Sequence, residues 1–150
     1  MTLTQKETGL LKDLKGQEQL CIEKYRKYAA EAKSDQLRNL FNNIASVEEK
    51  HLTWVTDMMN GKDVATTSEI HADNQNCTAF SYPDEDSRQK DAFFCRDLLA
   101  TEKHASSLYD VSVFEFTSPT ARKTLNRIQS DEQQHGEQLY AYMKANNMYS

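Results

Sequence analysis

Turn-forming residues are scarce: 150 residues hold 4 glycines and 2 prolines. So little turn chemistry argues against a many-stranded sandwich and favours long, unbroken helices. The three cysteines, Cys21, Cys77 and Cys95, are odd in number and form no Cys-x-x-Cys pair. That excludes a rubredoxin-type or zinc-ribbon module and fits a reducing, cytoplasmic compartment. Basic charge is also short. Lys and Arg number 18 against 23 Asp and Glu, for a net charge of -5, and no basic stripe exists. A nucleic-acid partner is therefore not expected. No run approaches the roughly 18 apolar residues of a membrane span, and no apolar leader opens the chain. Apolar residues make up 38%, so any core must be confined to narrow stripes. One domain is expected from the length.

What is present is a repeat. Residues 41–51 read FNNIASVEEKH and residues 125–135 read LNRIQSDEQQH, an offset of 84. The same offset relates Asp13-Leu14 to Asp97-Leu98, Glu18 to Glu102, Tyr25 to Tyr109, Arg38 to Arg122 and Met59 to Met143. So many matches at one offset predict two copies of a helical hairpin. The punctuation agrees. Thr4 and Glu7 form a capping box before a helix predicted over about 5–33. Ser34-Asp35 caps a second helix that runs to about Met59 and stops at Asn60-Gly61. Residues 60–83 are polar and end in Pro83, as a long connection would. A third helix is predicted from about Asp84 to Thr117. Ser118-Pro119 opens a fourth, fading at Asn146-Asn147.

Each helix carries an apolar stripe at spacings of three and four, and each stripe is interrupted by glutamate. Helix 1 reads Leu11, Leu14, Glu18, Cys21, Tyr25. Helix 2 reads Phe41, Ile44, Glu48, His51, Val55. Helix 3 reads Cys95, Leu98, Glu102, Ala105, Tyr109. Helix 4 reads Leu125, Ile128, Glu132, His135, Leu139. Glu18 and His51 are equidistant from the first predicted turn, and Glu102 and His135 from the second. All six polar groups are thereby expected at one level, facing inward.

Four carboxylates in an apolar core repel one another and are costly unless paired, protonated or bound to metal. Two divalent cations would cancel their charge, and two neutral imidazoles would complete the ligand set. In Glu-x-x-His both side chains share one helix face. One Glu from each of two helices, with Glu-x-x-His from each of the other two, is the pattern of ferritin-like di-iron and di-manganese proteins. The expected metal ligands are Glu18, Glu48, His51, Glu102, Glu132 and His135, holding two Fe or Mn ions. The competing expectation is the same fold with its site decayed into protonated Glu–His hydrogen bonds.

The expected fold is all-α: a ferritin-like four-helix bundle of two pseudo-symmetric hairpins, about 5–59 and 84–146, joined by a crossover over about 60–83. About 24 residues can return along a bundle roughly 40 Å long, which a short loop could not do. Tyr25 and Tyr109, two turns beyond Glu18 and Glu102, are candidates to hydrogen-bond the site or pass an electron to it, and so candidate catalytic residues; the competing expectation is core tyrosines with satisfied hydroxyls. Asp13 and Asp97 repeat, and are candidates to support the histidines. His104 points off the stripe and is read as a surface residue, His71 has no role, and Cys95, Met58, Met59 and Met143 are read as packing.

On Leu37–His51 (LRNLFNNIASVEEKH), Asp97–Tyr109 (DLLATEKHASSLY) and Ile128–Tyr149 (IQSDEQQHGEQLYAYMKANNMY), the chain resembles the coat F family of spore coat proteins, within the ferritin-like superfamily. The resemblance extends over nearly the whole chain. It implies a spore-forming source, a place in the forespore, mother cell or spore coat, and other coat proteins as partners, but no settled activity. The six-residue pattern is also similar to rubrerythrin and bacterioferritin. That similarity implies bridging roles for Glu48 and Glu132 and terminal roles for Glu18, Glu102, His51 and His135. Rubrerythrin's cysteine-ligated electron-transfer domain has no counterpart here, so a peroxidase would need an external electron donor. Ferritin's fifth helix has none either, which disfavours a storage cage and leaves a homodimer open. Three function classes stand at this point: a di-metal redox protein, a structural coat component, and a metal buffer or sensor.

Overall fold

A computed structural model describes residues 1–67 and 77–149. Its helices are α1 (Gln5–Glu31), α2 (Asp35–Met59), α3 (Glu85–Glu115) and α4 (Pro119–Ala145), and there is no strand among the described residues. The helix starts follow from side chains that satisfy orphan N–H groups. Thr4 and Glu7 form the capping box at α1. Ser34, Asp84 and Ser118 accept from Leu37, Ser87 and Ala121 at the other three N-termini, and Pro119 opens α4. Gly61 ends α2 at a φ of 77°, where a Cβ would lie 2.9 Å from the Met1 carbonyl oxygen. His71 and the middle of the 60–83 connection lie outside the described residues.

The two hairpins repeat each other down to single hydrogen bonds. In the first, the Ala32 N–H donates to Tyr28 O and the Arg38 guanidinium donates to Ala32 O. In the second, Phe116 N–H donates to Ser112 O and Arg122 donates to Phe116 O. Arg38 and Arg122 thus tie off the free carbonyl ends of α1 and α3. The hairpins are then clamped to each other. Glu7 on α1 accepts from Thr117 N in the second turn. Asp91 on α3 accepts from Lys33 N and Ser34 N in the first.

Contacts between helices fix their directions. Tyr25 meets Glu102, Tyr109 meets Glu18, and Lys6 meets Glu115, so α1 and α3 are antiparallel neighbours. His51 meets Asp131 and His135 meets Glu48, so α2 and α4 are as well. Within each hairpin the helices are also antiparallel, which leaves α2 and α3 parallel. Two apolar clusters fill the bundle. One gathers Tyr25, Phe41, Ile44, Leu98, Leu139 and Tyr142. The other gathers Leu11, Leu14, Val55, Tyr109, Leu125 and Ile128. Fully burying each large side chain contributes about 1.5–3 kcal/mol. The polar level of the stripes lies between the clusters.

Candidate metal centre

All six predicted ligands are buried, with exposures from 0% for Glu18 and His51 to 4% for His135. Five of them form two triads that share Glu48. Glu18, Glu48 and His51 make one, and Glu48, Glu102 and His135 the other. His51 Nδ1 lies 3.1 Å from Glu48 Oε2 and 3.7 Å from Glu18 Oε2. His135 Nδ1 lies 3.0 Å from Glu48 Oε1 and 3.3 Å from Glu102 Oε1. The latter contacts have the distance of a hydrogen bond but not its direction, so His135 Nδ1 and Glu48 Oε1 both remain without a partner. Glu132, expected beside Glu48 as a bridge, belongs to neither triad. Its two oxygens are buried and unpartnered.

Glu102 and Glu18 are each held by a tyrosine from the opposite hairpin. Tyr25 donates to Glu102 Oε1 and Tyr109 to Glu18 Oε1, both at 2.6 Å. Both open ends of the earlier expectation thus meet: the hydroxyls are satisfied, and the carboxylates that satisfy them belong to the site. His51 has a further anchor. Its Nε2 lies 2.9 Å from Asp131 Oδ2, and Asp131 Oδ1 accepts from Arg127 Nε at 2.9 Å. The Arg127 guanidinium lies over the Trp54 ring and donates to the Thr67 carbonyl.

Asp13 and Asp97 do not support the histidines. Asp13 is exposed, and Asp97 is half-buried between α1 and α3, where it accepts from Lys24 and Tyr28. Repetition marked them, but repetition carries no direction. Asp131 was missed because it breaks the repeat: its counterpart at position 47 is valine. Its adjacency to Glu132 and the contrast between Ser-Asp-Glu and Ser-Val-Glu were the available signal. His104 is exposed, and Cys95, Met58 and Met143 are buried packing, as expected; Met59 is half-buried.

Charge inside the cluster is redistributed by burial and mutual repulsion. Burial and the Glu48 charge push the Glu18 carboxyl up to about 8. Burial and the charges of Glu18, Glu102 and Glu48 push Glu132 up to about 10. Burial raises Glu102 as well. Burial works against charge on His135, but Glu102 and Glu48 outweigh it and carry the imidazole up to about 10. His51 is raised in the same way, by Asp131, Glu18 and Glu48. Burial would raise Glu48 too, but the protons of Glu18, His135 and His51 outweigh it and hold the carboxyl low. With no cation nearby, near-neutral pH therefore leaves Glu48 ionised between two imidazolium rings, with Glu18 and Glu132 protonated.

Does this donor set fit a pair of cations? Glu18 Oε2, Glu48 Oε1, Glu102 Oε2, both Glu132 oxygens and His135 Nδ1 are buried with no hydrogen-bond partner. Among the described residues, every such orphaned side-chain atom belongs to the predicted ligand set. A buried unsatisfied group costs about 1–3 kcal/mol. Six of them in one place, oxygen-rich with imidazole nitrogen, match what divalent first-row cations such as Fe, Mn or Zn require.

Residues 90–150 match the family model of the Coat F domain. The match begins within α3 and takes in all of α4. The coat F recognition is borne out there, while Leu37–His51, the first of the segments on which it rested, lies outside the match. The matched residues include Glu102, Glu132, His135, Asp131 and Tyr109. The 84-residue repeat relates Glu18, Glu48, His51 and Tyr25 to them. No curated protein and no solved structure matches the chain. No helix among the described residues is long and apolar enough to cross a membrane.

Proposed function

We propose that this protein is a ferritin-like, spore-coat-associated protein that holds two Fe or Mn ions in a carboxylate-rich centre at mid-bundle. The carrying observation is the convergence of six orphaned buried donor atoms on one level, all from the residues that the repeat singles out. Glu48 would serve both ions, because it is the member common to the two triads. Glu18 and His51 would complete one position, and Glu102 and His135 the other, with Glu132 supplying the remaining carboxylate. The antiparallel order of the helices supports the ferritin-like arrangement.

A bound Fe(II) pair would supply the two electrons that reduce peroxide or oxygen, one from each ion, with an external donor returning them. The chain's own residues have narrower tasks. Tyr25 and Tyr109 each hold one oxygen of Glu102 and Glu18 and so leave the other oxygen directed inward. The apolar clusters on either side keep bulk water from the level of the glutamates. Protons on Glu18, Glu132 and the two histidines must leave as metal binds.

The test is metal content per chain after growth with iron and manganese, for the wild type and for E48A/E132A. About two ions per chain in the wild type, lost in the variant, is the expected result. No ion in either, with the helices intact, would overturn the reading.

A second reading is a structural coat component. The apolar side chains left on the outside favour it: Phe93, Val111 and Phe114 are 53%, 55% and 84% exposed on α3. Assembly that survives E48A/E132A but fails in F114S would select it.

A further inference from the structure

The dinuclear reading treats the two halves of the centre as equivalent, yet the structure supports them differently. His51 Nε2 lies 2.9 Å from Asp131 Oδ2. That carboxylate keeps a proton on Nε2, so the proton that leaves on metal binding is the one on Nδ1, and the lone pair it uncovers faces Glu18 and Glu48. Asp131 is itself fixed by Arg127, which rests on Trp54 and bonds the Thr67 carbonyl. Three side chains and one backbone carbonyl thus hold one imidazole in one orientation.

His135 has none of this. By the 84-residue offset, the residue that should meet its Nε2 is Val47, whose isopropyl group accepts nothing. Its Nε2 has no hydrogen-bond partner among the described residues. Its ring also lines the groove between α2 and α4, as Val47 does. His51, by contrast, is fully buried. One imidazole arrives oriented; the other must choose its tautomer and orientation when the ion arrives.

We propose that the two positions fill in order and unequally. The position closed by His51 takes the first ion tightly, and the position closed by His135 takes a second, weaker and exchangeable ion. Asp131 is the positioning residue responsible. This rests on the dinuclear reading above but asks a separate question of the same residues. Losing such a support typically weakens metal binding about 10–100-fold.

The experiment is a titration of the metal-free full-length chain with Mn(II), following the free ion by electron paramagnetic resonance and heat by calorimetry. Two binding steps about 10–100-fold apart are expected. In D131V the first step should weaken until the gap closes. In V47D, where a half-buried groove residue gains a carboxylate beside His135, the second step should strengthen and the gap should narrow. H135A should keep one ion at the tight affinity, and H51A one at the weak affinity. Far-UV circular dichroism shows whether each variant is folded. Two equal sites in the wild type would overturn the proposal while leaving the dinuclear reading intact. So would a gap unchanged in both folded D131V and folded V47D. No Mn(II) bound to the wild type would overturn both.

Discussion

Tyr25 and Tyr109 show how much one hydroxyl can carry in this bundle. Each is fully buried, and each donates to a glutamate that has no other donor for that oxygen. Removing either hydroxyl strands a buried carboxyl oxygen, at about 1–3 kcal/mol. Y25F and Y109F should each lower the unfolding free energy of the metal-free protein by that amount, read as a fall in the urea midpoint with the transition slope unchanged. The residue scale is also where reading the sequence worked best and failed most sharply. The six buried residues of the candidate centre were legible because helical spacing places them inward whatever the rest of the chain does. Asp131 was not, because its role depends on which neighbouring helix its carboxylate faces. Asp13 and Asp97 repeat faithfully and do nothing for the histidines.

Among the elements, the helix ends are the places where sequence speaks most directly. Thr4, Ser34, Asp84 and Ser118 were all predicted caps or starts, and all of them satisfy an orphan N–H group. Caps are local, so tertiary context seldom overrides them. The clamps between hairpins were not legible. Glu7 and Asp91 are related by the same offset, but one is Glu and the other Asp, and their partners are backbone groups 110 and 58 residues away. They differ in depth. Asp91 accepts from Lys33 N, Ser34 N and Tyr82 Oη, whereas Glu7 accepts from Thr4 N and, at 3.4 Å, from Thr117 N. D91A should therefore cost about 3 kcal/mol or more, and E7A about 1–2 kcal/mol. Equilibrium urea unfolding of the two variants side by side checks the order.

The whole molecule responds to pH through its buried centre. In the metal-free state Glu18 moves from 4.5 to about 8 and Glu132 from 4.5 to about 10. A carboxyl raised on folding penalises the fold as pH climbs from its unfolded value toward its folded one. His135 moves from 6.5 to about 10, so its contribution is full below 6.5 and disappears as pH rises through 10. These groups act in the same direction. The lowered Glu48, Asp131 and Glu7 act oppositely, losing their contributions only as pH falls below the ordinary carboxylate range. The metal-free melting temperature should thus peak near pH 5 and fall steadily toward pH 9. Protein loaded with Mn(II) should lose much less over that range, since bound cations replace the protons. A flat metal-free profile measured by calorimetry would contradict this protonation scheme.

The reciprocal clamps carry a consequence for more than one chain. Glu7 serves the other hairpin's turn and Asp91 returns the service; Tyr25 holds Glu102 and Tyr109 holds Glu18. Each half thus supplies what the other half lacks, as two identical subunits do across a two-fold axis. Hairpins exchanged between two chains would recover every one of these bonds. An exchanged dimer formed at high concentration should therefore keep these four clamps.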